Sequence, residues 1–171
     1  MKPSKRSSIA LIVGGVAATA AILVPSGSAQ APGTTTLTFY EPDAQSVFRI
    51  IDNAPKSPRR NPENPKFRFS IGDVLTIRSP LYDRKGGTRL GTLYAESTIM
   101  QGLTFRTARF IASGTYVLND GSQIAVHGYF SFSDDTTVSV TGGTGMYEGA
   151  RGHMATHSTD NDSTDTLTLL P

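Results

Sequence analysis

From residue 34 onward, apolar and hydroxyl-bearing residues alternate in short runs, each bounded by Gly, Asp, Asn or Pro. β-branched and aromatic residues dominate these runs, which is typical of strands. No stretch shows a 3.6-residue apolar period over ten residues or more, so long helices are not expected. The predicted strands are Thr34–Tyr40, Ser46–Ile51, Val74–Arg78, Arg89–Ile99, Leu103–Ala112, Gln123–Phe132, Thr136–Thr141, His153–His157 and Thr164–Leu170. The pattern predicts an all-β domain of about eight strands, either a barrel or a sandwich.

Two acidic residues continue one face of the first predicted strand. Leu37, Phe39, Glu41 and Asp43 share this face if the extended conformation continues. Burial there would raise the pKa values of both acids and make either one a candidate general acid or base. Pro42 lies between them and can end the strand, which would leave both acids at the wet rim of the barrel. The spacing alone leaves both alternatives open.

The sixth predicted strand has one strongly apolar face. Ile124, Val126 and Phe130 share this face and are predicted to line the interior, whereas His127 points outward. Gly128 lies between two large apolar neighbours, which indicates a bend or a close backbone approach, as in a small barrel.

Residues 1–29 are predicted to be a secretory signal peptide. Three basic residues and no acidic ones precede an apolar run over residues 9–24, and small residues follow up to Ala29. The run is shorter than the roughly 20 residues of a membrane span. We expect bacterial export and cleavage after Ala29, with Ala31 as the alternative, which leaves residues 30–171 as one secreted domain.

Removal of this segment changes the charge balance. It holds 3 of the 16 Lys and Arg residues and none of the 14 Asp and Glu residues, which leaves 13 basic against 14 acidic residues, a net charge of −1. We therefore expect no nucleic-acid partner. The chain has no Cys, which excludes disulfide scaffolds, Cys-ligated zinc, iron–sulfur clusters and Cys nucleophiles.

Residues 52–66 interrupt the strand pattern. They include four prolines and four basic residues and almost nothing apolar, so they can neither continue a sheet nor bury themselves. We expect a long surface loop, which is either a disordered insertion or a functional loop.

Two polar clusters near the C-terminus are weak metal candidates. His153 and His157 share a strand face, but an arginine on the same face would oppose a cation. Asp160, Asp162 and Asp165 lack the Gly and the distal Glu of a calcium loop, so we expect them in a solvated turn. We predict no metal site.

The most specific motif spans residues 138–152, VSVTGGTGMYEGARG. No helix or Lys-Ser/Thr pair follows, so its glycines do not form a phosphate loop, and they instead allow positive φ in a tight reversal. The motif resembles the Gly-Gly-(Thr/Ala)-Gly-x-(Phe/Tyr)-x-Gly-Ala-x-Gly signature of the allene oxide cyclase and dirigent superfamily. Residues 37–43, 72–92 and 124–135 resemble other family segments in the same order.

This resemblance implies an eight-stranded antiparallel, calycin-like β-barrel with an apolar cavity, commonly assembled as a homotrimer. Allene oxide cyclases close an unstable fatty-acid epoxide into a cyclopentenone. Dirigent proteins orient phenoxy radicals or quinone methides. Neither activity needs a metal or an organic cofactor, so we expect no cofactor.

The resemblance also implies site residues. Glu41 falls where the cyclase carboxylate is expected, Asp43 where dirigent proteins have a catalytic Asp, and Arg151 where they have an Arg. These three are the candidate catalytic residues. The candidate substrate-contacting residues are Phe39, Tyr94, Phe130 and Tyr147.

We therefore expect a barrel that binds a small hydrophobic molecule, lipid-, polyene- or phenol-like. The barrel would cyclise, isomerise or stereochemically guide that molecule, as a cofactor-free isomerase. The alternatives are a barrel that binds the molecule without chemistry and a filled structural barrel for surface attachment. No membrane partner is expected after cleavage.

Overall fold

The computed structural model describes residues 33–53, 68–102, 104, 106–131, 134–159 and 161–171. The predicted signal peptide and nearly all of the proline-rich loop lie outside these residues. The strands are β1 Thr35–Pro42, β2 Val47–Ile51, β3 Val74–Tyr82, β4 Arg89–Gln101, β5 Arg109–Leu118, β6 Gln123–Ser131, β7 Thr136–Thr144, β8 Gly152–Ser158 and β9 Asp162–Leu169. Two 3₁₀ turns, Asp43–Gln45 and Gly145–Tyr147, interrupt them. In the described part of the chain, no helix has the length and hydrophobicity to cross a bilayer.

The sheet closes on itself. Its strands are antiparallel neighbours in the order β1-β9-β8-β7-β6-β5-β4-β3-β2, and β1 also pairs with β3 where Tyr40 lies opposite Tyr82. β1 and β2 both pair with β3 and are separated only by the first 3₁₀ turn, so together they form one bent strand. The predicted eight-stranded antiparallel barrel is confirmed.

The barrel has two ends of different character. We call the end with the β3–β4, β5–β6 and β7–β8 turns the closed end, because a core of large apolar side chains fills it. Leu81, Ile124 and Leu167 are fully buried in this core. The other end, which we call the open end, contains the β4–β5, β6–β7 and β8–β9 turns. A smaller apolar cluster that includes Phe69, Leu75 and Ile99 packs on one side of it.

The glycine-rich motif lies at the closed end. It includes the second half of β7, the second 3₁₀ turn and the first residue of β8. Gly145 and Gly149 have φ values of 64° and 72°, so the predicted tight reversal with positive φ is confirmed. A Cβ on Gly152 would lie 2.0 Å from the Thr168 carbonyl oxygen of the neighbouring strand β9, so the two backbones leave no room for a side chain here.

Gly128 allows the close approach that its neighbours predicted. A Cβ there would lie 2.6 Å from Val138 Cγ1 on β7, closer than real Cβ contacts. β6 and β7 therefore pack so closely at this point that only glycine fits at Gly128. His127 is exposed on the outer face, as predicted.

One strand prediction is wrong. The sequence pattern predicted a strand over residues 103–112, whereas β5 begins at Arg109 and continues to Leu118. The amides of Thr107 and Ala108 both donate to the Thr104 carbonyl, which makes a turn where a strand was expected. Beyond Ala112 the small residues of Ser-Gly-Thr obscure the alternation, although β4 and β6 pair with β5 throughout.

Candidate functional site

A cavity of about 690 Å³ lies inside the barrel, between the closed-end core and the open end. This volume is within the usual range for small-molecule pockets. Several of its lining residues, Asp43, Phe48, Ser158 and Thr159, are exposed and mark its mouth. The mouth therefore lies between β2 and the β8–β9 turn.

The cavity exists because inward positions on two strands are small. Ala95 on β4 and Ala112 and Gly114 on β5 line it where bulky residues would fill it. Phe110 and Phe130 also line the cavity. Their rings are nearly parallel, with an angle of 4° between the ring planes and 5.9 Å between the centroids. This wall of β4, β5 and β6 is mostly apolar, with Ser97 and Ser131 among its lining residues.

The opposite wall contains two buried carboxyl groups. Glu41 on β1 is 7% exposed and Asp165 on β9 is 4% exposed. In the β1–β9 ladder Glu41 lies opposite Ser163, and Asp165 lies opposite Phe39. The two acids are thus diagonal neighbours on the inner face, and their side chains are hydrogen-bonded to each other.

A tyrosine reaches this pair from across the barrel. The Tyr116 hydroxyl on β5 donates a hydrogen bond to Asp165 Oδ2 at 2.5 Å. Tyr116 is fully buried, and Phe39 stacks on its ring with centroids 5.3 Å apart. Burial and the two nearby carboxyl groups raise the pKa of Tyr116 well above its usual range, so it remains a neutral donor.

The buried carboxyl group of Glu41 favours its protonated form. Burial raises the pKa of Glu41 well above 4.5, and the negative charges of Asp165 and Asp43 raise it further, against an opposing contribution from the Ser79 hydroxyl. The arrangement supplies a buried acid with a raised pKa beside a second carboxyl group in a mostly apolar cavity.

A third buried acid, Asp73, differs from this pair. Its carboxylate accepts bonds from the Ser70 amide and hydroxyl, both at 2.8 Å, and from the Asn53 amide at 2.9 Å. These donors tie the segment before β3 to the end of β2. Asp73 is not among the residues lining the cavity, and we assign it a structural role.

Three of the seven sequence-predicted site residues line the cavity: Glu41, Asp43 and Phe130. Asp43 lies in the first 3₁₀ turn at the mouth, where partial burial and the charge of Asp162 raise its pKa. Of the two alternatives for the acidic pair, Glu41 is therefore inside the barrel and Asp43 at its rim. Phe39 is buried behind the cavity against Tyr116.

The other three predicted residues lie elsewhere. Tyr94 points outward from β4 and is 48% exposed. Tyr147 packs against the closed-end core. Arg151 is exposed at the closed end, and its guanidinium donates to the Pro171 carbonyl. The structure does not bring these three to the cavity, and their roles in catalysis or binding stay predictions of the resemblance.

The sequence interpretation missed Asp165 and Tyr116. The expectation of a solvated turn is wrong for Asp165, which shares the inner face of β9 with the buried Leu167 and Leu169. The same alternation that indicated Glu41 would have indicated Asp165. Tyr116 was missed because the predicted strand ended at Ala112.

Of the metal candidates, Asp160 lies outside the described residues, and the others do not form a cluster. His157 Nδ1 lies 2.8 Å from Asp135 Oδ1 on the exposed surface. Within the described ranges, no group of three His, Asp or Glu side chains is arranged to hold a metal ion.

The closed barrel with its interior cavity defines the allene oxide cyclase and dirigent class of β-barrels. The family model described as allene oxide cyclase matches residues 41–159. The chain therefore belongs to the allene oxide cyclase family.

Solved structures with the same fold are distant in sequence. The pterocarpan synthase dirigent protein GePTS1 is 18% identical with a TM-score of 0.60, over 87% of this chain and 98% of that one. A pyocyanin demethylase is 17% identical with a TM-score of 0.59, over 80% and 99%. AbnU, an exo-specific intermolecular Diels-Alderase, is 19% identical with a TM-score of 0.53, over 80% and 98%. All three names refer to proteins that act on small molecules.

Proposed function

We propose that this protein binds a small hydrophobic molecule in its barrel and cyclises, isomerises or stereochemically guides it with Glu41 and Asp165. The observation that carries the proposal is the pair of buried carboxyl groups, Glu41 and Asp165, on one wall of a mostly apolar cavity. Such a pair is costly to bury, and the structure surrounds it with hydrogen-bond partners instead of replacing it with apolar residues.

The apolar wall supplies the first part of the chemistry. A cavity that holds one folded conformer of a reactive polyene or phenol removes much of the entropic barrier to a ring closure or coupling. The Phe110–Phe130 wall offers flat apolar surfaces against which such a molecule would pack.

The carboxyl pair supplies the second part. Protonated Glu41 donates its proton to an oxygen or double bond of the bound molecule, and the Asp165 carboxylate stabilises the positive charge that develops. The product then loses a proton, which returns to the carboxyl pair. Tyr116 keeps Asp165 in place, because its hydroxyl occupies one carboxylate oxygen.

The open interior favours these functions over a filled structural barrel. The choice between catalysis and binding without chemistry depends on the acid pair. Burial of two acids inside the cavity favours catalysis, because a carrier of an apolar ligand has no use for buried carboxyl groups.

Binding is tested with the neutral fluorophore N-phenyl-1-naphthylamine, titrated into residues 30–171. We expect a saturable fluorescence increase at one site and competition by added polyenes or phenols. Ala112→Phe fills the cavity and should abolish the increase, whereas Ile111→Phe adds a ring to the outer face at the adjacent residue and should not. Equal responses of the two variants would place the probe outside the barrel.

Catalysis is then tested by incubating reactive polyenes and phenols with the protein and with Glu41→Gln. Turnover by the natural chain that Glu41→Gln lacks would support an enzyme. Probe binding without turnover of any compound would leave the non-catalytic binding function.

Export and assembly are further parts of the proposal. The basic and apolar N-terminal segment supports secretion, and mass spectrometry of protein from the culture fluid should find Gln30 at the N-terminus. Retention of residues 1–29 would contradict it. The homotrimer rests on the family alone, and sedimentation that finds a monomer would remove it.

A further inference from the structure

We propose that the Ser97 hydroxyl binds an oxygen atom of the molecule in the barrel, at a point separate from the Glu41–Asp165 pair. The preferred ligand then has two oxygen-bearing groups joined by an apolar body: one group meets the carboxyl pair, and the other meets Ser97. This inference rests on the proposed function and deepens it, because it names the class of molecule that the cavity selects. Ser97 determines specificity and transfers no proton.

Ser97 has a buried hydroxyl group without a hydrogen-bond partner. The residue is 2% exposed, and its Oγ has no donor or acceptor within reach among the described residues. Such a hydroxyl costs the folded state the desolvation of the group with no bond in return. Buried polar groups in native proteins are nearly always paired, so this exception points to a partner that arrives from outside the chain.

Other buried serines of the cavity wall are already paired within the protein. Ser79 Oγ lies 2.8 Å from Ser46 Oγ, and the Ser131 hydroxyl donates to Asp134 Oδ2 at 3.1 Å. These hydroxyl groups are satisfied without a ligand. Ser97 differs from them because its hydrogen bond is still to be made.

The surroundings of Ser97 leave only the cavity as a source of this bond. Ser97 lies on the inner face of β4 and lines the cavity on the wall opposite the carboxyl pair. Its cross-strand neighbours are Leu75 on β3 and Ala112 on β5, whose side chains cannot hydrogen-bond. Ala112 is small and leaves room on the cavity side, and rotation about the Cα–Cβ bond moves a serine hydroxyl between staggered positions. A ligand oxygen in the cavity can therefore reach it.

An unpaired hydroxyl in the wall selects for oxygen in the ligand. A hydroxyl group can donate one hydrogen bond and accept others, so it suits an alcohol, a phenol or a carbonyl group. A hydrocarbon surface pressed against Ser97 would seal the hydroxyl away from water and leave it unpaired, which disfavours ligands that lack the oxygen. The apolar lining residues, among them Phe110 and Phe130, contact the body of the ligand.

The small size of serine does not explain its presence at this position. Alanine is smaller than serine by the hydroxyl group and would keep the cavity open, as it does at Ala95 and Ala112. Alanine would also remove the unpaired group. The Ser97 hydroxyl therefore adds nothing to the packing of the empty barrel, and we assign it to ligand binding.

The test compares diols with mono-ols as competitors of N-phenyl-1-naphthylamine on residues 30–171. The diols are 1,6-hexanediol, 1,8-octanediol and 1,10-decanediol, each paired with the mono-ol of the same length. Their flexible chains sample different separations of the two hydroxyl groups. Ser97→Ala should raise the Kd of at least one diol by about three- to tenfold, the usual contribution of one hydrogen bond. The Kd of its mono-ol should not change, because the single hydroxyl meets the carboxyl pair.

Two variants and a stability measurement separate recognition from a structural role. Thr98→Val removes a hydroxyl group from the adjacent residue, which does not line the cavity, and should change neither Kd. Ser97→Thr keeps a hydroxyl and should restore the preference for the diol. Ser97→Ala should unfold at the same or a higher urea concentration, because no bond within the protein is lost. Unfolding at a lower concentration would assign the hydroxyl to the fold and overturn the inference.

The remaining outcomes distinguish this inference from the proposed function. Equal changes for diols and mono-ols in Ser97→Ala, or no change for either, would overturn the role of Ser97. The proposed function would stand in that case if the natural chain binds the probe and Ala112→Phe does not. Failure of the natural chain to bind the probe would overturn the proposed function, and the role of Ser97 with it.

Discussion

The two ends of the barrel differ in content: the closed end is mainly packed core, and the open half contains the candidate site. The closed end contains the glycine-rich motif that resembles the family signature, and its interior is apolar and packed. The open half contains the cavity and the buried acids Glu41 and Asp165, which come from β1 and β9. The glycine-rich motif, the most specific mark of the family in the sequence, therefore lies apart from the residues that line the cavity.

The difference has an energetic basis. Large apolar side chains at the closed end stabilise the fold by burial, at roughly 25 cal/mol per Å². The acid pair costs stability, because two carboxyl groups are removed from water. A packed closed end allows the open half to hold such a pair without unfolding.

The largest expected effect concerns catalysis and sharpens the contrast between the two ends. Glu41→Gln and Asp165→Asn should lower the turnover of any converted polyene or phenol by about 10²- to 10⁴-fold, the usual contribution of a general acid or base. Arg151→Ala at the closed end tests the role that the resemblance assigns to Arg151. Its distance from the cavity favours unchanged turnover, and a loss as large as that of Glu41→Gln would show that the two ends are not separate in function.

The free energy of unfolding should be more sensitive to substitutions in the closed-end core than to substitutions at the cavity mouth. Leu81→Ala at the closed end removes a fully buried side chain and should lower the free energy of unfolding by about 2–5 kcal/mol. Phe48→Ala at the mouth removes a side chain that is 46% exposed and should cost about 1 kcal/mol or less. Urea titration of both variants checks this. Equal losses would contradict the difference in burial between the closed-end core and the cavity mouth.

The pH dependence of stability tests the acid pair. The pKa of Glu41 is raised in the folded chain above its ordinary value of 4.5, so the folded state binds more protons than the unfolded state above that pH. The free energy of unfolding should therefore fall as pH rises from 4.5 to the folded pKa, by about 1.4 kcal/mol for each pH unit between these two values. Urea titrations across this range should show the fall in the natural chain and not in Glu41→Gln. The exposed Glu96→Gln is the control, and a fall retained in Glu41→Gln would assign it to another group.

The smallest expected effect separates the two aromatic predictions. Phe130 lines the cavity, whereas Tyr94 lies on the outer face. Phe130→Ala should weaken the binding of N-phenyl-1-naphthylamine by roughly 1 kcal/mol through the lost ring contact, and Tyr94→Ala should leave the affinity unchanged. Fluorescence titration measures both, and weaker binding in Tyr94→Ala would contradict the outward orientation.

The alternation of inward and outward side chains was informative where the whole length of a strand was considered. It offered an inward Glu41 as one of two alternatives, and the structure shows Glu41 buried at 7% exposure. It failed for Tyr116 because Ser113, Gly114 and Thr115 carry no clear apolar signal, and cross-strand pairing with β4 and β6 keeps this segment extended. Asp165 was assigned to a turn because its acidic neighbours suggested solvent.

The sequence by itself determined the class of fold, the number of strands and the reversal at the glycine-rich motif. These features depend on local chemistry: the period of two along each strand and the positive φ that glycine adopts. Only the tertiary structure decided that Glu41 lies beside Asp165 and that Tyr116 bonds to Asp165 from across the barrel. Their meeting depends on strand order, register and barrel closure, and a pattern read along one strand contains no information about which residue lies across the cavity.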